Sequence, residues 1–299
     1  MRITIGLVAL IAATALGSSA GCAATSGPAP PPTSGPQRTL SSPSAPHPAV
    51  PRPDHIVVVV DENHAQGEIV GSPDAPYITS LSRQGANFTN AHAITHPSQP
   101  NYLALFSGGT QGVTSDACPK NAFTTPDLGG EVLAANLTFA GYSESMPRAG
   151  YAGCTSGGYA RKHNPWADFA DVPAASNLTF DSFPTDYARL PTVSFVVPNL
   201  QDDMHDGTVA QGDSWLQRNL DSYVQWAKTH NSVFVLTFDE DDNGLRNQIP
   251  TIIAGAGVIA GDNTAAISHY DVLRTIEDAY GLPAAGQSAS ATPITTIWD

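Results

Sequence analysis

Basic side chains are scarce: 13 Lys and Arg stand against 27 Asp and Glu in 299 residues, a formal charge of −14. That balance excludes a general nucleic-acid binder, which needs a basic surface. It also poses a problem for an anionic substrate, and a metal cation set among the carboxylates is one solution. Cysteine is scarcer still, with only Cys22, Cys118 and Cys154. No CxxC-type spacing occurs among them, which argues against a Cys/His zinc site. Past the N-terminal stretch no run reaches the ~18 apolar residues that read as a membrane-spanning helix. No internal repeat is present. Hydrophobic residues make up 41% of the chain, enough for one large core or two small ones.

What is present begins with an export signal over residues 1–22. Arg2 precedes an apolar run from Ile3 to Leu16, and Gly17-Ser18-Ser19-Ala20-Gly21-Cys22 supplies a small-residue cleavage region. The Ala-Gly-Cys ending resembles a bacterial lipoprotein processing site, which would make Cys22 the lipidated first residue and attach it to a membrane. Ser19 stands where that motif prefers Leu, so simple cleavage nearby is the alternative. Either way the protein is expected outside the cytoplasm, secreted or anchored to the outer face of the cell membrane. Residues 23–53 hold ten prolines among Ser, Thr, Gly and Ala, the composition of an extended tether without a core. The folded domain is expected over 54–299. Setting Cys22 aside leaves an even pair, Cys118 and Cys154, expected to form a disulfide in an oxidising compartment. Two free thiols are the alternative. Closing that loop would stabilise the fold by ~4 kcal/mol.

Within the domain, His55–Val60, Pro191–Val197 and Val233–Phe238 are continuous apolar, β-branched runs of the kind buried on both sheet faces. Phe88–Ile94 and Ile249–Ala254 are further strand candidates. Helices are expected over 77–84, 128–140 with Gly141 as the stop, 213–229, and 270–280 before Gly281. Strands alternating with helices imply an α/β fold, three layers deep, with a mostly parallel central sheet.

The organising stretch is Thr95-His96-Pro97-Ser98-Gln99-Pro100-Asn101-Tyr102, which leads into Leu103-Ala104-Leu105-Phe106. Pro97 and Pro100 suit the approach and first turn of a helix, and Gly108-Gly109 its end. Ser98 is then either a plain N-cap or a hydroxyl at a helix N-terminus, where an anion is favoured. Three apolar strands each run into a polar burst: Asp61-Glu62-Asn63, Asn199 to Asp206, and Asp239 to Asp242. Singly these have the composition of solvated turns. In an open parallel sheet they would gather at one edge, where oxygen ligands can hold a hard divalent cation.

These pieces, with Ser268-His269-Tyr270, Ala160-Arg161-Lys162-His163 and Asp203-Met204-His205-Asp206-Gly207, resemble the phosphoesterase family that joins bacterial acid phosphatases to phospholipase C enzymes. That family lies within the alkaline phosphatase-like superfamily. The similarity is strongest to secreted acid phosphatases of actinobacteria and runs through the whole domain; His64-Ala65-Gln66, where the phospholipase branch often has Arg, Ser and Phe, sides with the acid phosphatases. The resemblance implies Glu62, Asn63, Asp239 and Glu240 as metal ligands, joined by the oxygen of Ser98, which becomes the nucleophile. Asn101 and the helix start would stabilise charge on phosphoryl oxygens. His205 or His269 would protonate the leaving group, with His96 and Asp206 as candidate substrate contacts. Structural hydrogen bonds are the alternative for each His, including His163. An all-oxygen ligand set favours Mg²⁺, Ca²⁺ or Mn²⁺, although relatives in the superfamily use zinc.

The expected activity is hydrolysis of phosphate monoesters through a phosphoserine, with phospholipid-borne phosphates such as phosphoinositides among the candidate substrates. The alternatives are a phospholipase C-type phosphodiesterase and a non-enzymatic lipoprotein that binds a metal or solute. A binding protein has no use for a serine beside the acidic cluster. No sequence feature indicates an oligomeric state.

Overall fold

The computed structural model describes residues 50–299 except Leu245. The export signal, Cys22 and all but the last four residues of the proposed tether lie outside the described residues. In chain order the elements are β1 (His55–Asp61), α1 (Gln66–Ile69), α2 (Pro76–Gln84), β2 (Ala86–Phe88), β3 (Ala91–His92), α3 (Ser98–Ser107), α4 (Leu128–Ala134) and β4 (Phe139–Ser143). There follow β5 (Thr155–Ser156), β6 (Tyr159–Ala160), β7 (Asn177–Thr179), β8 (Val193–Val197) and α5 (Val209–Ala227). The chain ends with β9 (Ser232–Phe238), β10 (Thr251–Gly255), β11 (Gly261–Asn263), β12 (Ile267–Ser268) and α6 (His269–Tyr280).

Eight strands form one sheet in the order β11-β2-β10-β9-β1-β8-β4-β7. Its pairs are parallel except for the two that β10 makes, with β9 and β2. The three apolar runs are therefore adjacent: β1 lies between β9 and β8, with Val58 opposite both Val235 and Phe195. All three are buried almost throughout, so both faces of the sheet are covered. The helices form two packed groups, α2 with α5, and α3 with α4 and α6. Because β9, β1 and β8 run the same way, their polar ends emerge side by side at one edge.

Some boundaries differ from those expected. The helix at Leu128 ends at Ala134, and Asn136, at φ 59°, turns the chain, a conformation Asn tolerates better than most residues. Residues 139–143 are then a strand rather than the rest of that helix. Gly141 is not a helix stop: a Cβ there would lie 1.9 Å from the Trp166 ring, so the residue is small because an indole covers it. Phe88–Ile94 is two short strands, broken at Thr89-Asn90, that belong to different sheets. α5 starts at Val209 because the Thr208 side chain accepts the Gln211 N–H. The packed chain also begins before residue 54. Arg52 donates to Tyr280 O and the Tyr280 hydroxyl to Pro53 O, which ties the segment to the end of α6.

Candidate active site

All ten residues of α3 are buried, and Pro97, not Ser98, is its N-cap. At the other end Gly108 takes φ 66°, and a Cβ there would come within 1.9 Å of Ala285 O. The Ser98 hydroxyl does not cap the helix. Its Oγ lies 3.1 Å from Glu62 Oε2 and 3.2 Å from Glu240 Oε1. Glu62 follows directly on β1 and Glu240 comes two residues after β9, so the pairing of those strands sets this geometry. Asn63, at φ 59°, bends the chain after β1, and its N–H donates to Asp239 Oδ1 at 3.1 Å. The structure thus brings together Glu62, Ser98 and Glu240 by direct contact, with Asn63 and Asp239 beside them.

A second group of side chains backs the first. His163 is 1% exposed and lies between two carboxylates. Its Nδ1 pairs with Asp203 Oδ2 at 3.0 Å, and its Nε2 stands 2.8 Å from Glu62 Oε1. The latter contact is an ion pair but is too poorly aligned for a hydrogen bond. The Tyr102 ring stacks on His163 with centroids 5.0 Å apart. Next to it, Lys162 Nζ donates to His205 Nε2 at 2.9 Å, and His205 Nδ1 is 2.8 Å from Asp206 Oδ1. In that arrangement Nδ1 donates to Asp206 and Nε2 accepts from Lys162. His96 Nδ1 meets Glu240 Oε2 at 2.5 Å, and its Nε2 is 3.5 Å from Asp241.

Burial alone would raise the Glu62 carboxyl, but the His163 ring against it, with Lys162 beyond, brings it down to about 2. Burial likewise works against a charged His163, and Glu62 and Asp203 outweigh it, lifting the ring to about 9. Burial and the neighbouring Glu62 and Glu240 push Asp239 well above the usual carboxylate range.

These observations bear on a metal. Asp239 Oδ2 is fully buried with no hydrogen-bond partner, and no Lys or Arg pairs with Asp239 among the described residues. Carboxylates gathered around one hydroxyl with an orphaned oxygen among them suit a hard divalent cation. Glu62, His163 and His205 form a second set, their ligand atoms within 4.8 Å of one another. In that set both nitrogens of His163 face carboxylates and the Lys162 ammonium covers His205 Nε2, so the oxygen set is the better match. Glu62 belongs to both.

Two expected residues have other duties. Asn101 is fully buried; its Oδ1 accepts the N–H groups of Ile94 and Thr95, and its Nδ2 donates to Thr95 O and Pro97 O. Both ends of the amide are spent on holding the approach to α3, leaving nothing for a phosphoryl oxygen. His269 is buried with Nε2 on Phe238 O at 2.9 Å, and burial lowers it to about 4. It braces the end of β9 next to Asp239, with its one ring N–H given to Phe238 O. His96 supports Glu240, and Asp206, half exposed, supports His205. The sequence assigns no site role to Lys162 or Asp203, and for His163 it leaves a site role open beside a structural hydrogen bond. The available signal was the Arg161-Lys162-His163 cluster in a chain so poor in basic residues.

Cys118 and Cys154 are disulfide-bonded, closing a loop of sequence separation 36. No helix among the described residues is long and apolar enough to cross a membrane.

Comparison with known proteins agrees with this geometry. The profile of the Phosphoesterase family matches residues 72–283. A phosphatidylinositol-3-phosphatase of Mycobacterium tuberculosis is 52% identical over 252 residues, 84% of either chain. A phosphate-repressible acid phosphatase of Penicillium chrysogenum is 31% identical across 70% of this chain, which spans 55% of that longer protein. Among solved structures, an alkaline phosphatase superfamily protein of Vibrio parahaemolyticus superposes with a TM-score of 0.56 at 12% identity, covering 81% of this chain and 72% of the other. A phosphonate monoester hydrolase of Silicibacter pomeroyi gives a TM-score of 0.56 at 10% identity, covering 81% and 76%. At such identities the superpositions speak for the fold alone. The profile match and the mycobacterial relative show that this chain belongs to the Phosphoesterase family, built on an alkaline phosphatase-like fold.

Proposed function

We propose that this protein is an exported, metal-dependent phosphomonoesterase that works through a phosphoserine at Ser98. The observation that carries the reading is the Ser98 hydroxyl, placed at a helix start and aimed at Glu62 and Glu240 rather than at its own backbone. Glu62, Asn63, Asp239, Glu240 and the Ser98 oxygen would hold a divalent ion, whose charge makes the hydroxyl more acidic and offsets that of the phosphate. The residues themselves carry the rest. Ser98 Oγ forms a bond to phosphorus as the ester oxygen departs in line, and its proton passes to one of the two carboxylates it touches. Lys162 and the first turn of α3 face the phosphoryl oxygens with positive charge. As Lys162 turns from His205 Nε2 to the phosphoryl oxygens, His205, held at Nδ1 by Asp206, takes up a proton at the freed Nε2 and gives it to the leaving alkoxide. It then takes one from the water that releases phosphate from Ser98.

The name of the mycobacterial relative supports phosphoinositide monoesters among the substrates. Export followed by tethering through Cys22 is the part of the reading that rests on sequence alone. It predicts that labelled fatty acid enters the wild type and not Cys22→Ala.

The decisive experiment is a rapid acid quench with labelled monoester. Label should be recovered on the peptide containing Ser98, and Ser98→Ala should lose several orders of magnitude in kcat. Chelator should abolish turnover of a monoester, and a diester should be a poor substrate. Label on Thr95, or near-normal turnover by Ser98→Ala, would overturn the assignment.

A further inference from the structure

Lys162 has a second partner that the mechanism leaves unused. Its Nζ donates to Asp116 Oδ2 at 2.9 Å as well as to His205. The other oxygen of Asp116 accepts the backbone N–H of Gln99 at 3.0 Å. One carboxylate therefore joins the ammonium to the residue that follows Ser98 in the first turn of α3. Lys is a compact charge on a flexible four-carbon stem, so its position depends on what grips the head group. Asp116 is itself 34% exposed at the side chain, and a partly solvated pair of this kind cannot be relied on to hold a lysine by Coulomb attraction alone. Its backbone has to be held by something else.

The disulfide supplies that hold. Asp116 stands two residues before Cys118, in a segment between α3 and α4 that contains no regular helix. Cys118 is bonded to Cys154, and Cys154 O accepts the N–H of Arg161, the neighbour of Lys162. The Arg161 guanidinium then reaches across both sides of the bridge, donating to Pro119 O at 2.7 Å and to Ala152 O. The bridge, Arg161 and Asp116 thus form a closed circuit around Lys162.

We propose that Asp116 is a positioning residue of the phosphate site: locked in place by the Cys118–Cys154 bond, it presents Lys162 to the phosphoryl group, so that phosphate affinity depends on the disulfide. The inference rests on the proposed role of Lys162 in holding the phosphoryl group.

Three variants test it: Asp116→Asn, the double variant Cys118→Ser with Cys154→Ser, and Lys162→Met. Each is loaded with the same divalent ion, and kcat, KM and the Kd for inorganic phosphate are measured well below the thermal midpoint. Asp116→Asn keeps an oxygen for the Gln99 N–H and removes the charge that grips Lys162. It should raise KM and the phosphate Kd by about tenfold, the scale of one charge-assisted hydrogen bond, with kcat little changed. The cysteine double variant should raise the phosphate Kd to a similar degree. If both lower only the thermal midpoint and leave Kd unmoved, the role is structural and the proposal fails. If Asp116→Asn and the cysteine variant are normal while Lys162→Met weakens phosphate binding, Lys162 holds itself; the proposal fails and the phosphatase reading stands. If Lys162→Met also leaves Kd unmoved, the phosphate role of Lys162 is at fault and the proposal falls with it.

Discussion

His163 shows how one buried side chain can organise a site. It is sandwiched between Glu62 and Asp203 and roofed by Tyr102. An imidazolium there holds Glu62 ionised and aimed at Ser98. The sign of the pH dependence follows from the two shifts. His163 is raised from 6.5 to about 9, so its contribution to stability is complete below pH 6.5 and lost as pH rises through 9. Glu62 is lowered from 4.5 to about 2, so its contribution is complete above pH 4.5 and lost as pH falls through 2. The pair is at full strength between those limits. His163→Gln should therefore cost about 3 kcal/mol near pH 5.5, the usual price of breaking a buried ion pair, and less near pH 9.5. Urea unfolding at the two pH values in the presence of chelator would show it. An equal loss at both would mean that His163 is packed there as a neutral ring.

Among the elements, β4 depends on a contact that local pattern cannot register. It is the strand between β8 and β7, and Trp166 lies flat against its middle residue, Gly141. The indole also donates to Asn177 Oδ1 at 2.9 Å, at the start of β7, so one side chain joins two adjacent strands. Gly141→Ala lowers the backbone entropy lost on folding, a gain of about 0.5–1 kcal/mol, but puts a methyl group into the ring, and the clash outweighs the gain. It should destabilise the protein by about 1–3 kcal/mol through overpacking, read as a lower denaturation midpoint with activity per folded molecule retained. A neutral or stabilising Gly141→Ala would mean that Trp166 can move aside freely. α3 makes the opposite case. Its prolines, its apolar run and Gly108 mark it in the sequence at both ends.

At the scale of the molecule, several buried or half-buried carboxyls away from the site favour acid conditions. Burial, with the Asp171 carboxyl beside it, raises Asp127 to about 8. Burial, with Glu277 nearby, raises Glu131 to about 7. Burial raises Asp168 to about 6, although Arg161 draws it the other way. Groups raised in this way contribute fully below their ordinary values near 4, and the contribution is lost as pH rises through 6 to 8. His163 changes in the same direction. The thermal midpoint should fall steadily from pH 5 to pH 9 by calorimetry, and Asp127→Asn, which can still cap α4, should flatten that fall. A midpoint that rises over this range would contradict the assignment of these groups.

Much of the fold was legible because its signals are local. Continuous Val and Ile runs with polar ends marked β1, β8 and β9; Thr95 to Phe106 marked α3; Cys118 and Cys154 were the even pair. The acidic strand ends and Ser98 could be named from the sequence because residue type and spacing carry that chemistry. What the sequence could not decide is anything that depends on which distant residue lies opposite. Whether Ser98 capped its helix or faced carboxylates was settled by β9 pairing beside β1, which brings Glu240 next to Glu62. Asn101 and His269 have suitable chemistry for catalysis, yet the backbone around Ile94 and Thr95 takes both ends of Asn101, and Phe238 O takes the ring N–H of His269. Lys162 and His163 lie on a single 3-10 turn, Arg161–His163, too short to show periodicity, and the disulfide, Arg161 and the end of β1 place them in the site. Residue type determines what a side chain can do; only packing determines which of its hydrogen bonds are already taken.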